Sequence, residues 1–182
     1  MMDIILIMEI NNILSIAKKI DNSIQVSEFN NQYTFILKDK SSILNLLQVM
    51  KTEASFDMLI DITAIDWNKD VNRFDIIYFL YSNKNKSRLR IKTFIDEKDC
   101  YIQSSENIYP SANWYEREVW DMYGIKFADH SDMRRFYMPE DFFDKATGQT
   151  YHPLRKDFPL AGIQNSLPLP PYPEMFGNEV KF

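Results

Sequence analysis

Two stretches of this 182-residue chain concentrate the side chains capable of chemistry. The first runs Glu116-Arg117-Glu118, then Asp121, Gly124, Phe127, His130 and Arg134-Arg135. The second is His152-Pro153-Leu154-Arg155-Lys156-Asp157-Phe158-Pro159-Leu160. From Glu116 to Asp157, 16 of 42 residues are charged, seven basic and nine acidic, so neither sign dominates. The carboxylates could serve as a general acid–base pair. On a helix, however, Glu116 and Glu118 point about 200° apart and cannot converge on one substrate. Glu118 and Asp121, three residues apart, can share a face. Arg117 and Asp121, four apart, can pair there, although in the less favourable order. Histidine as a residue type can serve as a ligand or acid–base group, but His130 and His152 stand 22 residues apart with no cysteine nearby and make a poor metal pair. Hydrogen bonds that order a turn are the expected work of both. The planar forks of Arg134, Arg135 and Arg155 suit bidentate pairing with partly desolvated carboxylates. They fit either intersubunit pairs or ties that hold down an irregular segment, and Lys156 and Asp157 fit the same two uses. No catalytic, cofactor-binding or metal-binding residue is expected among these.

Composition narrows the alternatives. With 21 basic and 26 acidic residues the net charge is −5, and there is no basic excess of the kind nucleic-acid binding needs. One cysteine, Cys100, with two histidines cannot hold an iron–sulfur cluster, which takes four thiolates or two thiolates and two imidazoles. Four glycines supply neither GxGxxG nor GxxxxGK[ST], and a GxSxG elbow is absent. The apolar start, Ile4 to Met8, is too short for a membrane helix and lacks the basic flank of a secretory signal. Membrane association is therefore expected only indirectly, through a partner.

The elements that must position the two charged stretches are readable from periodicity. Ile10, Ile13, Leu14, Ala17 and Ile20 recur at helical spacing and predict an amphipathic helix ending near Lys18-Lys19. Ser23–Glu28 and Tyr33–Leu37 are β-prone and joined by Phe29-Asn30-Asn31-Gln32, a hairpin pattern. A second helix should follow Ser41 or Ser42 as cap, with Ile43, Leu44, Leu47 and Met50 facing inward. Three strand-like runs come next, Phe56–Trp67, Arg73–Tyr81 and Arg88–Ile95; in the last, Leu89, Ile91, Thr93 and Ile95 alternate with Arg88, Arg90 and Lys92, which implies one solvent-facing side. The order helix, two strands, helix, three strands predicts an α+β domain, two helices packed on a mainly antiparallel sheet, over residues 1–108. A third helix is expected over Ala112 to Tyr123, capped by Ser111 and stopped at Gly124. It opens a docking segment over 109–165 that carries both charged stretches. Seven of the eight prolines lie from Pro139 onward, so 166–182 reads as an extended, polyproline-like tail.

The stretches EREVWDMYGIKFADHSDMRRF and YHPLRKDFPLAG resemble the two hallmarks of the 30-kilodalton subunit family of complex I, the proton-pumping NADH:quinone oxidoreductase. The resemblance extends over nearly the whole chain. Phe136 stands where the family prefers an aliphatic residue, and Tyr151 where glycine often precedes the His-Pro pair; neither departure alters a charge. The resemblance implies a non-catalytic scaffold subunit of the hydrophilic arm. It would bind no cofactor itself, while the whole complex would use FMN, iron–sulfur clusters and a quinone. Its implied partners are the other hydrophilic-arm subunits, especially those around the terminal iron–sulfur cluster and the quinone site. Its implied place is peripheral to the inner membrane, on the bacterial cytoplasmic or mitochondrial matrix side. The chain's end soon after the second hallmark leads to the expectation of a separate subunit, not a fusion with the larger quinone-site subunit. Three alternatives remain open: the equivalent subunit of a complex fed by another donor or of a membrane-bound hydrogenase, a free-standing small-molecule enzyme, and a module whose proline-rich tail is a ligand for an aromatic groove.

Overall fold

The computed structural model describes residues 2–30, 32–144 and 147–159, without the side chains of residues 2–9. The tail expected from residue 166 onward lies outside the described residues. Helix α1 spans Met2–Lys18, strands β1 Gln25–Phe29 and β2 Gln32–Leu37, helix α2 Ile43–Thr52, and strands β3 Met58–Asp66, β4 Phe74–Ser82 and β5 Ser87–Ile95. Strand β6 Tyr101–Gln103, helix α3 Ala112–Tyr123 and strand β7 Lys126–Ala128 follow. The hairpin between β1 and β2 turns at Asn30, whose φ of 51° suits an asparagine.

The sheet runs β1-β2-β5-β4-β3, with β2 and β5 parallel and the other three neighbours antiparallel. The single parallel pair arises because α2 carries the chain across to the far edge, and β5 returns to fill the gap beside β2. Register places Phe35, Ile91, Tyr78 and Ile62 in one row across four strands, each 0–1% exposed. Ile13 and Ala17 of α1, Leu46, Leu47 and Met50 of α2, and Ala112 and Val119 of α3 join that same buried cluster. The opposite face carries Thr34, Arg90, Phe79 and Asp61 in the next row and is covered by no element among the described residues.

Two caps differ from expectation. Ser42 and Ser111 occupy the N-cap positions of α2 and α3, yet neither hydroxyl caps its helix. Asp39 instead accepts from the Ser41 amide at 2.9 Å and caps a 3₁₀ turn, Lys40–Ser42, that leads into α2. The Ser111 hydroxyl donates to the Leu59 carbonyl at 3.3 Å, which ties α3 to β3. At its other end α3 stops as predicted, with Gly124 at φ 81° and its amide 2.8 Å from the Trp120 carbonyl. Strands β6 and β7 form a parallel pair across α3, with Ile102 opposite Phe127 and both buried. The core is thus continuous across residue 108.

Candidate functional site

Three of the four charged side chains of α3 are turned inward. Asp121 and Glu116 are wholly buried and Arg117 is 5% exposed. The expectation that Arg117 pairs with Asp121 on the helix surface is not met. Arg117 instead crosses to the following loop, donating from Nε to the Arg134 carbonyl at 3.2 Å and from Nη2 to the Arg135 carbonyl at 3.0 Å. Its guanidinium also lies over Trp114 and Phe136, 5.0 and 5.5 Å from the ring centroids.

Asp121 is the hub of the first charged stretch. Its Oδ1 accepts from Arg135 Nη1 at 2.5 Å, and its Oδ2 accepts the amides of Phe136, Tyr137 and Met138 at 3.2, 2.7 and 2.8 Å. Burial raises the Asp121 pKa, but the Arg135 guanidinium and the three amides outweigh it and hold the carboxyl below the ordinary carboxylate range. Arg135 continues outward through Nη2 to the carbonyls of Phe142 and Tyr151 at 2.9 and 3.1 Å. One buried pair therefore fixes three turns of irregular chain. Glu116 does the same on the other side of α3. It accepts from Ser104 Oγ at 2.6 Å and from both the amide and hydroxyl of Ser105 at 2.7 Å. Burial pushes its carboxyl up despite those donors.

The second stretch is bolted to the base of the β3–β4 hairpin. Arg73 meets Asp66 side-on, Nε to Oδ1 at 3.0 Å and Nη2 to Oδ2 at 2.9 Å. It also reaches Glu97 at 2.7 Å and Asp157 at 2.9 Å. Arg155 clasps Asp157 through two bonds of 3.1 Å and contacts Glu97 as well. The Lys156 amide donates to Asp66 Oδ2 at 2.8 Å. Two cations thus share three carboxylates. Chiefly through Arg155 and then Arg73, the Asp157 carboxyl is pulled down to about 2. Burial raises Asp66, but Arg73 and the Lys156 and Asn68 amides more than offset it.

Both histidines order chain, as expected. A carbonyl only accepts, so His130 Nε2 carries the proton given to Asn113 O at 3.0 Å, and its Nδ1 accepts the Asp132 amide at 3.0 Å. Both ring nitrogens are thereby engaged. His152 donates from Nδ1 to Asp121 O at 3.0 Å, and burial pushes its pKa down. Its ring lies on Gly124, where a Cβ would come within 2.7 Å of His152 Cδ2. The two charged stretches therefore meet at Gly124, Asp121 and His152. Three members of the set remain turned outward: Arg134, whose side chain is 69% exposed and paired with Asp132 at 2.9 Å, the exposed Lys156 and the half-buried Glu118. Burial and nearby Asp61 raise the Glu118 pKa. Glu118 and Asp121 both reach the 136–138 segment but do not form an acid–base pair, because Asp121 is already saturated.

Sequence reasoning missed the partners on the domain side, Asp66, Arg73, Glu97, Ser104 and Ser105. An acid ending one strand and a base opening the next, around the turn of an otherwise apolar hairpin, was the available signal. Among the described residues no cluster of three or more His, Cys, Asp or Glu could hold a metal ion, and no helix is long and apolar enough to cross a membrane.

Residues 36–164 match the family described as respiratory-chain NADH dehydrogenase, 30 Kd subunit. A subunit of the NADH-quinone oxidoreductase of Trichlorobacter lovleyi is 47% identical over 124 residues, 68% of this chain and 72% of that protein. The corresponding subunit of the Geotalea uraniireducens enzyme is 38% identical over 151 residues, covering 82% and 87%. A trypsin-resistant fragment of Nqo5 shares the fold, with a TM-score of 0.57 at 23% identity over 68% of this chain and 98% of the fragment. A chain of the membrane-bound sulfane sulfur reductase, an archaeal respiratory membrane complex, aligns with a TM-score of 0.68 at 25% identity over 82% of this chain and 85% of its own. Both charged stretches lie within the matched region up to residue 164, and on that match the chain belongs to the 30-kilodalton subunit family of the respiratory-chain NADH dehydrogenase.

Proposed function

We propose that this chain is the scaffold subunit of the hydrophilic arm of a proton-translocating NADH:quinone oxidoreductase, with no active site of its own. It packs against the subunits around the terminal iron–sulfur cluster and the quinone site, on the cytoplasmic or matrix side of the inner membrane. FMN, clusters and quinone belong to those partners and not to this chain. The observation that carries the reading is the saturation of the buried charges. Glu116, Asp121, Arg135, Asp66 and Arg73 all spend their bonding capacity on the chain's own backbone and side chains. Groups so committed are not available to exchange protons with a substrate. They do hold some thirty irregular residues in one shape, as an assembly platform requires. Arg134, Lys156 and Glu118 then stand outward as the charges available to a neighbouring subunit.

A second reading is the same scaffold role in a respiratory complex fed by a donor other than NADH; the fold recurs in a respiratory complex with a different substrate, the archaeal sulfane sulfur reductase. One experiment tests both. Gently solubilised membranes from the source cells are resolved by native electrophoresis, probed for this chain and stained for NADH oxidation. Co-migration with a very large, NADH-oxidising band is expected. A large band without NADH oxidation points to the other donor. A free 21.7 kDa species would end the scaffold reading altogether.

A further inference from the structure

The uncovered face of the five-stranded sheet mixes charged with large apolar side chains. Central strand β5 places Arg88, Arg90 and Lys92 there, and its neighbour β4 places Ile77, Phe79 and Tyr81 beside Asp75. Ile77, Phe79 and Tyr81 on the uncovered side are only half-buried. Beside them, Ile60, Asp61, Phe79, Arg88 and Arg90 line a groove of about 290 Å³. Arg90 Nε is shielded within it and has no hydrogen-bond partner, an unmade bond of a kind that folded proteins seldom leave. Lys92, one step along β5 on the same face, is paired with Asp75 at 2.6 Å. Arg88 and Arg90 have no ion-pair partner among the described residues. Asp61 is the one acid of the groove, and burial pushes its carboxyl up.

We propose that this face docks a partner polypeptide that places a carboxylate between Arg88 and Arg90 and apolar side chains over Ile77, Phe79 and Tyr81. Exposed Arg88 and half-buried Arg90, two residues apart on one face of β5 and without an ion-pair partner among the described residues, together offer a fork that matches a carboxylate. A lone inorganic anion would satisfy the arginines but cover none of the aliphatic and aromatic surface around them. The inference rests on the scaffold reading and identifies a docking face distinct from the charged segment.

The test uses the full chain in its host, carrying Ile60→Cys in a Cys100→Ser background. Ile60 is 37% exposed at the groove, so a maleimide can reach a thiol there in the free chain. At least tenfold slower labelling in the assembled complex is expected. Separately, Arg88→Glu with Arg90→Glu should reduce incorporation into the complex at least tenfold while the isolated variant melts within a few degrees of the wild type. Equal labelling in free and assembled chain, or full incorporation of the double variant, overturns the docking face and leaves the scaffold reading intact. Protection of the free chain's thiol by inorganic phosphate alone overturns it too, in favour of a small-anion site. Failure of the wild-type chain to join any large complex would instead remove the scaffold reading beneath it.

Discussion

Replacing Asp121 with Asn changes one oxygen for one amide group and nothing in volume, so its effect isolates the hub's charge. The wild-type carboxylate serves four donors, Arg135 Nη1 and the amides of residues 136–138. In Asp121→Asn the new NH₂ must face either the guanidinium or the three amides, leaving buried donors opposed whichever way it turns. Uncoupling a buried pair costs about 3–5 kcal/mol, and the oxygen that Asn retains keeps part of the bonding. A loss of about 3 kcal/mol is therefore expected, which corresponds to a melting temperature roughly 6–12 °C lower for a chain of this size. The difference depends on pH in a defined direction. The folded-state pKa of Asp121 lies below its unfolded value. Its charge therefore stabilises the fold fully above about pH 4, and that contribution fades as pH falls through the folded pKa. Urea unfolding of both proteins at pH 7 and at progressively lower pH measures this. Hydrogen exchange at the amides of Phe136, Tyr137 and Met138 localises it. A loss below about 1 kcal/mol at pH 7, or unchanged protection of those three amides, would refute the claim that Asp121 organises the segment.

Gly124→Ala should destabilise by at least about 2 kcal/mol, because φ is positive and a Cβ meets the His152 ring; adding His152→Ala should recover part of the loss in a double-mutant cycle, and strict additivity would deny the contact. The Asp157 carboxyl should titrate near 2, followed by carboxyl-carbon NMR, with its contribution present above the ordinary carboxylate range and lost as pH falls toward that midpoint; a midpoint near 3.9 would contradict the clasp by Arg155 and Arg73. Arg155→Ala should leave residues 1–100 melting almost as before, since Arg73 keeps Asp66, Glu97 and Asp157, while cleavage by protease within 150–159 rises and incorporation into the complex falls. Normal incorporation of that variant would exclude a role for the second charged stretch in assembly.

The α+β half was legible because burial writes itself into periodicity. The alternation of Leu89, Ile91, Thr93 and Ile95 with Arg88, Arg90 and Lys92 gave β5 and its inward face directly. The spacing of Ile43, Leu47 and Met50 gave α2, although Leu46 sits more deeply than Leu44. Strands β6 and β7 were not legible, because three residues hold too little alternation to register and their pairing depends on α3 lying between them. The capping roles of Ser42 and Ser111 failed for a related reason. A hydroxyl at the right position has several acceptors, and tertiary contact with Leu59 took Ser111. In the charged segment the residue set was visible in the sequence, but its direction was not. Mixed acids and bases on an aromatic-rich helix read equally as surface or as interior. Their burial depends on loop amides at 105 and 136–138 that no helical pattern encodes.

The claim that this chain builds the electron route without carrying electrons is tested most directly by deletion with add-back. Membranes from cells lacking the chain are assayed for NADH-driven quinone reduction, with and without its re-expression, beside the purified chain alone. Quinone reduction should be lost on deletion, return with the wild-type chain, and be undetectable in the purified chain. NADH-driven quinone reduction that persists without the chain, or turnover by the purified chain itself, would contradict the claim.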